Sequence, residues 1–167
     1  MADSYHIAPL HRRLIAMIYD FLLAGTFISV ISSIASALLV WQEVTVEPNT
    51  ALSNAFFSIQ LLLGFIYLAF FWLRSGKTPG AWVWKIQNLS QEGRVITLIQ
   101  AAIRYIVLLL ILCGSFIIAY KGLNMSIMQS ITMMFVGFAF IIIWSRFNKA
   151  GLMLHEDMSR TIGIDLR

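Results

Sequence analysis

Charged residues are scarce in this chain of 167 residues: Asp, Glu, Lys and Arg make up 12% of it, whereas 59% of the residues are hydrophobic. A soluble domain carries about 25% charged residues, so this composition excludes an ordinary water-soluble fold. The mean hydropathy of +0.81 indicates a chain whose solvent is a lipid bilayer.

Cysteine is also rare. The single Cys113 lies in an apolar run and cannot form an intramolecular disulfide, so we interpret it as a packing residue. The chain shows no nucleophile motif, phosphate-binding loop or haem-binding pair, and the run His155-Glu156-Asp157 lacks the i, i+4 histidine spacing of a zinc helix. These absences predict a protein that is not an enzyme and that holds no metal or cofactor.

Long apolar runs are what the sequence has instead. Four of them, at about 14–40, 52–73, 98–121 and 128–146, predict an all-α membrane protein with four transmembrane helices in a single domain, 1–167. Capping-box spacing marks two helix starts, at Thr97 with Gln100 and at Ser126 with Gln129. The first run is too long for a signal peptide, so we expect an uncleaved membrane helix. The partner expected for these four helices is the lipid bilayer.

Two polar segments, 74–97 and 146–167, are predicted to form a small cap at one end of the bundle. Trp82, Trp84 and Lys85 indicate a short interfacial helix. The apolar stretches on either side of Gln91-Glu92-Gly93 predict a possible β-hairpin, which the stretch TIGIDL near the C-terminus could extend by one strand.

The basic residues favour one orientation. Eleven of the twelve Lys and Arg residues fall on the side of the cap and the chain ends, and only Lys121 falls on the other side. The positive-inside rule therefore predicts cytoplasmic N- and C-termini. Because the basic residues flank apolar runs and are not interleaved with exposed aromatics, we expect no nucleic-acid partner.

Charged residues inside the apolar runs are the candidates for function. Arg13 and Asp20 are seven residues apart, which places them on one helix face about 10 Å apart. A carboxylate in lipid is costly and commonly marks an ion or proton site. The alternative is a structural salt bridge from Asp20 to Arg13 or to Arg104 in the third span. The sequence leaves both interpretations, and the choice of arginine, open.

Three stretches resemble, in order, the signature regions of the RDD family of small bacterial membrane proteins: RRLIAMIYD, then FFWLRSGKTPGAWVWKI followed by ITLIQAAIRYIVLLL, and LHEDMSRTIGI. In this resemblance, Arg13 and Asp20 match the family's arginine and first aspartate. Its Gly-x-Thr-x-Gly turn and the two ends of its tail motif are matched by Gly76, Thr78, Gly80, His155 and Thr161.

The chain departs from the family pattern at two places. Pro79 stands where an aliphatic residue is usual, and Glu156 occupies the slot of the second aspartate, with Asp157 one position late. Either carboxylate could take the aspartate's place. The predicted cluster is therefore Arg13, Asp20, Arg104, Glu156 and Asp157.

The resemblance implies a multi-pass protein of the bacterial inner (plasma) membrane with a transport-related role. One implied activity is cation (sodium)/proton exchange at the predicted cluster, with a monovalent cation and a proton as partners. The apolar spans contain no acidic residue besides Asp20, so an exchanger would need a homo-oligomer to build a relay across the membrane. The alternative is a scaffold or interaction protein that transports nothing. Gly25, Gly64, Gly114 and Gly137 are expected to permit close helix approach.

Overall fold

The computed structural model describes residues 6–47 and 50–167. In chain order, its elements are α1 (Leu10–Trp41), α2 (Ala51–Arg74), α3 (Pro79–Val83), β1 (Ile86–Ser90), α4 (Leu98–Ile117), α5 (Ile127–Phe147), α6 (Leu154–Met158) and β2 (Thr161–Asp165). A π-helical turn at Ile118–Gly122 extends α4.

Four of these helices, α1, α2, α4 with its π-helical turn and α5, are long and apolar enough to cross a bilayer, and each contains an 18-residue stretch with a mean hydropathy of 2.0 to 2.4. This confirms the predicted all-α class with four spans. α1 has 32 residues and is about 48 Å long, whereas a hydrocarbon core is about 30 Å thick. Its first turns, which carry Arg12, Arg13 and Asp20, can therefore reach the cap.

The starts of three long helices are fixed by reciprocal capping. The Thr97 hydroxyl accepts a hydrogen bond from the Gln100 amide, and the Gln100 side chain accepts one from the Thr97 amide. Ser126 and Gln129 make the same exchange, so both predicted capping boxes are confirmed. Thr50 forms a third with Ser53. Each box satisfies two amide groups that the first helical turn leaves without partners.

Two glycines allow close helix approach, and two do not. A Cβ at Gly64 would lie 2.8 Å from the Tyr105 hydroxyl, which donates to the Leu61 carbonyl. A Cβ at Gly137 would lie 3.0 Å from the Ile111 carbonyl. Among the described residues, no atom of a neighbouring helix lies within 4 Å of a Cβ built at Gly25 or Gly114, so the expectation of close approach is wrong for these two.

The cap contains a small antiparallel sheet, in which β1 pairs with β2 from Ile86 opposite Asp165 to Ser90 opposite Thr161. The tail therefore supplies a strand, as TIGIDL predicts. The possible hairpin is corrected: the turn after Ser90 is closed by hydrogen bonds, but residues 94–97 form no strand. β2 pairs with β1 because Ile162 and Ile164 pack with Leu89 in a buried apolar cluster, although β2 lies far from β1 in the sequence.

The N-terminal segment reaches the free edge of β2. Ile7 forms an antiparallel bridge with Ile164, and the Ala8 amide donates to the Gly163 carbonyl at 2.8 Å. Residues 6–8 and β2 therefore meet at the cap, at one end of the helix bundle. This arrangement brings the start of α1 against residues that follow it by more than 140 positions.

Candidate functional site

Arg13 is buried against the tail. Its guanidinium contacts the Glu156 carboxylate through Nη1, and its Nη2 donates to the Gly151 carbonyl at 2.7 Å. Arg13 is 5% exposed and Glu156 is 1% exposed. Glu156 also accepts a hydrogen bond from the Met153 amide at the start of α6. The pair therefore joins α1 to the short helix that precedes β2.

Arg104 enters the same region from α4. Its Nη1 donates to the Thr161 hydroxyl at 2.7 Å and its Nη2 donates to the Asn88 side-chain oxygen at 3.1 Å. The guanidinium lies 3.8 Å from the second Glu156 oxygen and 5.2 Å from the centre of the Trp72 ring. Arg104 thus contacts both strands of the cap sheet. We call Arg13, Arg104, Glu156, Asn88 and Thr161 the arginine network.

Asp20 forms no ion pair among the described residues. Its carboxylate accepts hydrogen bonds from the Thr78 hydroxyl and from the Gly80 amide, the latter at 2.8 Å. The predicted salt bridge to Arg13 or Arg104 is therefore corrected, because both guanidiniums are directed at the tail and the sheet. Asp20 instead holds the start of α3, where amide groups are free to donate to an anion.

Gly80 is required for this contact. A Cβ at position 80 would lie 2.2 Å from the Ala16 carbonyl oxygen and 2.9 Å from an Asp20 carboxylate oxygen. Gly76, at the start of the same turn, has a left-handed backbone with φ of 67°, and its carbonyl accepts from the Asn88 amide at 2.7 Å. The Gly-x-Thr-x-Gly turn thus holds Asp20 at one end and β1 at the other.

Asp157 lies outside the arginine network. Its carboxylate accepts a hydrogen bond from the Trp144 indole at 3.2 Å, on the side of α6 that faces α5. Of the two adjacent carboxylates, Glu156 is therefore the one that meets the arginines. The extra methylene of Glu156 still allows contact with Arg13.

Several members of the site were not singled out in the sequence. Arg12 is buried, contacts the Asp165 carboxylate and donates to the Trp84 carbonyl. Asn88 and Ser159 are also buried and polar. The adjacent pair Arg12-Arg13 could have indicated that Arg12 also belongs to the site, because two adjacent arginines point in different directions from a helix and need different partners. Nothing in the sequence marked Asn88.

A cavity of about 50 Å³ lies between the arginine network and Asp20. Arg13, Asp20, Arg104, His155 and Glu156 line it. The Nε atoms of both arginines, Nδ1 of His155 and Oε1 of Glu156 are buried and have no hydrogen-bond partner among the described residues. A space of this size has room for about three to five water molecules, each of which needs about 10–15 Å³.

The wall of the cavity is formally neutral, since two arginines face two carboxylates. His155 adds no charge near neutral pH: burial first, and then the Arg104 and Arg13 charges, lower its pKa well below the usual 6.5. The site therefore combines polar groups in need of partners with a balanced charge. Such a space suits water or a small ion better than a large organic ligand.

Taken with the four membrane-crossing helices, this site defines a polytopic membrane protein whose buried charges face a small cap. The sequence model of the RDD family matches residues 7–155, and the chain belongs to that family. Glu156 and Thr161 lie just beyond the matched residues, so their place in the site rests on the contacts described above. Comparison with curated proteins and with solved structures gave no match.

Proposed function

We propose that this protein is a non-enzymatic interaction protein of the bacterial inner membrane, and that its buried charges fix the cap rigidly to the membrane helices. One observation carries the proposal: Arg13, Asp20 and Arg104 each have their hydrogen-bond partners in the cap. A buried ion pair adds little net stability but strongly disfavours arrangements that separate its members. The charges therefore hold the cap in one position relative to the membrane helices. A cap fixed in this way presents a defined surface to a partner.

The distribution of charge along the spans supports the same proposal. The stretches 21–40, 51–66, 105–120 and 127–140 contain no acidic, basic or histidine residue. A proton or cation that left the cavity would have about 20 Å of apolar helix ahead of it with no carboxylate, histidine, lysine or arginine. One subunit thus supplies a site at one end of the bundle and no relay beyond it.

The orientation belongs to the proposal. The positive-inside rule places the cap and both termini in the cytoplasm. Reporter fusions test it: alkaline phosphatase fused at Asn124 should be active, and the same enzyme fused at Ser90 should be inactive. The reverse pattern would place the cap outside the cell and would contradict the orientation.

Cation/proton exchange is the second candidate, and the cavity is the observation that favours it. Asp20 and Glu156 line a space large enough for a partly hydrated monovalent cation, next to a histidine that is neutral near pH 7. In this candidate Asp20 is the exchanging carboxylate, and Arg13 and Arg104 adjust its affinity. A homo-oligomer would have to complete the path through the membrane.

Ion-driven proton flux in proteoliposomes separates the two candidates. Purified protein is reconstituted with a proton-sensitive dye and exposed to sodium, lithium and potassium gradients. Under the interaction proposal we expect no flux above that of protein-free vesicles. The matched variants are Asp20→Asn and Glu92→Gln, the second removing an exposed carboxylate of the cap. Flux that Asp20→Asn abolishes in folded protein and Glu92→Gln retains would overturn the interaction proposal in favour of exchange.

A further inference from the structure

A second polar surface lies at the outer edge of the cap, away from the arginine network. Arg74 ends α2, Lys77 follows in the turn, and Lys85 lies between α3 and β1. Two open clefts lie side by side here: Arg74 and Lys77 line the first, Lys77 and Lys85 line the second, and Trp82 lies between them. We call these four residues the basic cleft.

The cations of the basic cleft are free to bind an anion. Arg74, Lys77 and Lys85 take part in none of the ion pairs formed among residues 6–47 and 50–167. The sequence from position 74 to position 90 contains no Asp or Glu. The carboxylate of Asp165, opposite β1, is already bound by Arg12. Asp20, the other nearby carboxylate, is bound by the Thr78 hydroxyl and the Gly80 amide and forms no ion pair with these cations. The surface therefore carries three positive charges that no ion pair among the described residues neutralises.

The same surface is apolar on its membrane side. Phe70 lies one turn below Arg74 on α2, about 6 Å deeper along the axis, and is 53% exposed. The Arg74 guanidinium lies over its ring, 5.8 Å from the centre. Trp82 and Val83 are 71% and 57% exposed. A tryptophan beside basic residues at the end of a membrane helix is typical of the headgroup layer of a bilayer.

We infer that the basic cleft is a binding site for an anionic phospholipid, with the phosphate held by Arg74, Lys77 and Lys85 and an acyl chain lying along Phe70. The cations above and the apolar surface one helical turn below match the two chemical halves of such a lipid. A free phosphate would use only the upper half. An acidic peptide would leave Phe70 without a partner.

Tryptophan quenching by brominated lipids tests this inference. The protein is reconstituted with brominated phosphatidylglycerol or brominated phosphatidylcholine, and the Trp82 signal is taken as the difference between wild type and Trp82→Phe. We expect at least a fivefold preference for phosphatidylglycerol, because each basic residue near a bilayer surface contributes about 1 kcal/mol toward an anionic lipid. The preference should fall in 0.5 M salt, which screens exposed charges.

Three sets of variants make the test specific. The triple change Arg74→Gln, Lys77→Gln and Lys85→Gln should reduce the preference to within twofold of unity. The charge-keeping set, Arg74→Lys, Lys77→Arg and Lys85→Arg, should retain it. A matched triple elsewhere on the cap, Arg146→Gln, Lys149→Gln and Arg160→Gln, should retain it too, since these residues are exposed and lie outside the basic cleft.

Two results would overturn the inference. Equal quenching by the two lipids in wild-type protein would show that the cleft does not select an anionic headgroup. Millimolar inorganic phosphate that abolishes the preference would assign the cleft to a free anion. All six substituted side chains are outside the arginine network, so gel filtration and thermal unfolding should show that the variants stay folded.

Discussion

Replacing Glu156 with Gln tests whether the arginine network holds the cap in place. The substitution keeps the shape of the side chain and leaves an acceptor for the Met153 amide, but it removes the negative charge that faces two guanidiniums. Removing one member of a buried ion pair typically costs about 3–5 kcal/mol. The cavity beside Glu156 has room for water, which can solvate the unpaired Arg13. We therefore expect about 3 kcal/mol, at the low end of that range.

The neighbouring carboxylate supplies the control. Asp157→Asn changes the same charge on the same short helix, but among the described residues the Asp157 carboxylate forms no ion pair and one side-chain hydrogen bond, from the Trp144 indole. Asparagine keeps a side-chain oxygen that can accept from the indole, so the hydrogen bond is weakened and not lost, and we expect a loss below about 1 kcal/mol. The double variant Glu156→Gln with Arg13→Gln should recover part of the loss, since no charge is then left unpaired.

Thermal unfolding in a single detergent, followed by tryptophan fluorescence, measures these differences. Glu156→Gln should lower the Tm clearly more than Asp157→Asn does. Equal Tm values for the two variants would refute the reasoning, because burial and pairing would then make no difference. Full additivity of the Glu156 and Arg13 changes would show that the two side chains are not energetically coupled.

Three further predictions use the same assay. Gly80→Ala should destabilise the protein by several kcal/mol because the new Cβ would lie 2.2 Å from a carbonyl oxygen of α1. Gly25→Ala meets no such atom and lies inside a helix, where alanine is favoured over glycine by about 0.5–1 kcal/mol, so it should cause no loss; equal losses would contradict this. Asp20→Asn should cost about 1.5–3 kcal/mol, the value of hydrogen bonds to a charged group, and adding Arg104→Gln should give no recovery because Asp20 does not pair with it. Lowering the pH from 7.5 to 5.5 should reduce the free energy of unfolding by about 1.4 kcal/mol through His155. The pKa of His155 is lowered in the folded state, so below about pH 6.5 the unfolded chain takes up the proton first. His155→Gln should remove this loss, and an unchanged loss in that variant would exclude His155 as its source.

The membrane class could be predicted from the sequence because it depends on local properties. Each span is an apolar run of sufficient length, and each satisfies its own backbone hydrogen bonds as a helix, whatever the rest of the chain does. The capping boxes at Thr97 and Ser126 are local for the same reason, since both partners lie within one helical turn. The β-like stretch near the C-terminus was also visible as an alternating pattern.

The partners of the buried charges were decided by the tertiary structure. Helical spacing predicts that Arg13 and Asp20 lie on one face of α1, but spacing along one helix does not say which neighbour each side chain meets. Arg13 meets Glu156, 143 residues later, and Asp20 meets the start of α3, 58 to 60 residues later. A backbone amide such as that of Gly80 is present at nearly every position, so no residue type in the sequence marks it as the partner of a carboxylate.

The strand pairing likewise depended partly on local sequence and partly on tertiary contacts. The sequence showed the stretches that become β1 and β2 and the turn after Ser90. That turn favoured a local hairpin, in which β1 would pair with the residues directly after the turn. β1 instead pairs with β2, because Ile162 and Ile164 bury an apolar cluster with Leu89 and Leu152 that residues 94–97 do not form. Local hydrogen-bonding and hydropathy determine which segments become helices and strands. Burial of distant apolar side chains and pairing of distant charges decide which of those segments meet, and both depend on contacts that exist only after the chain has folded.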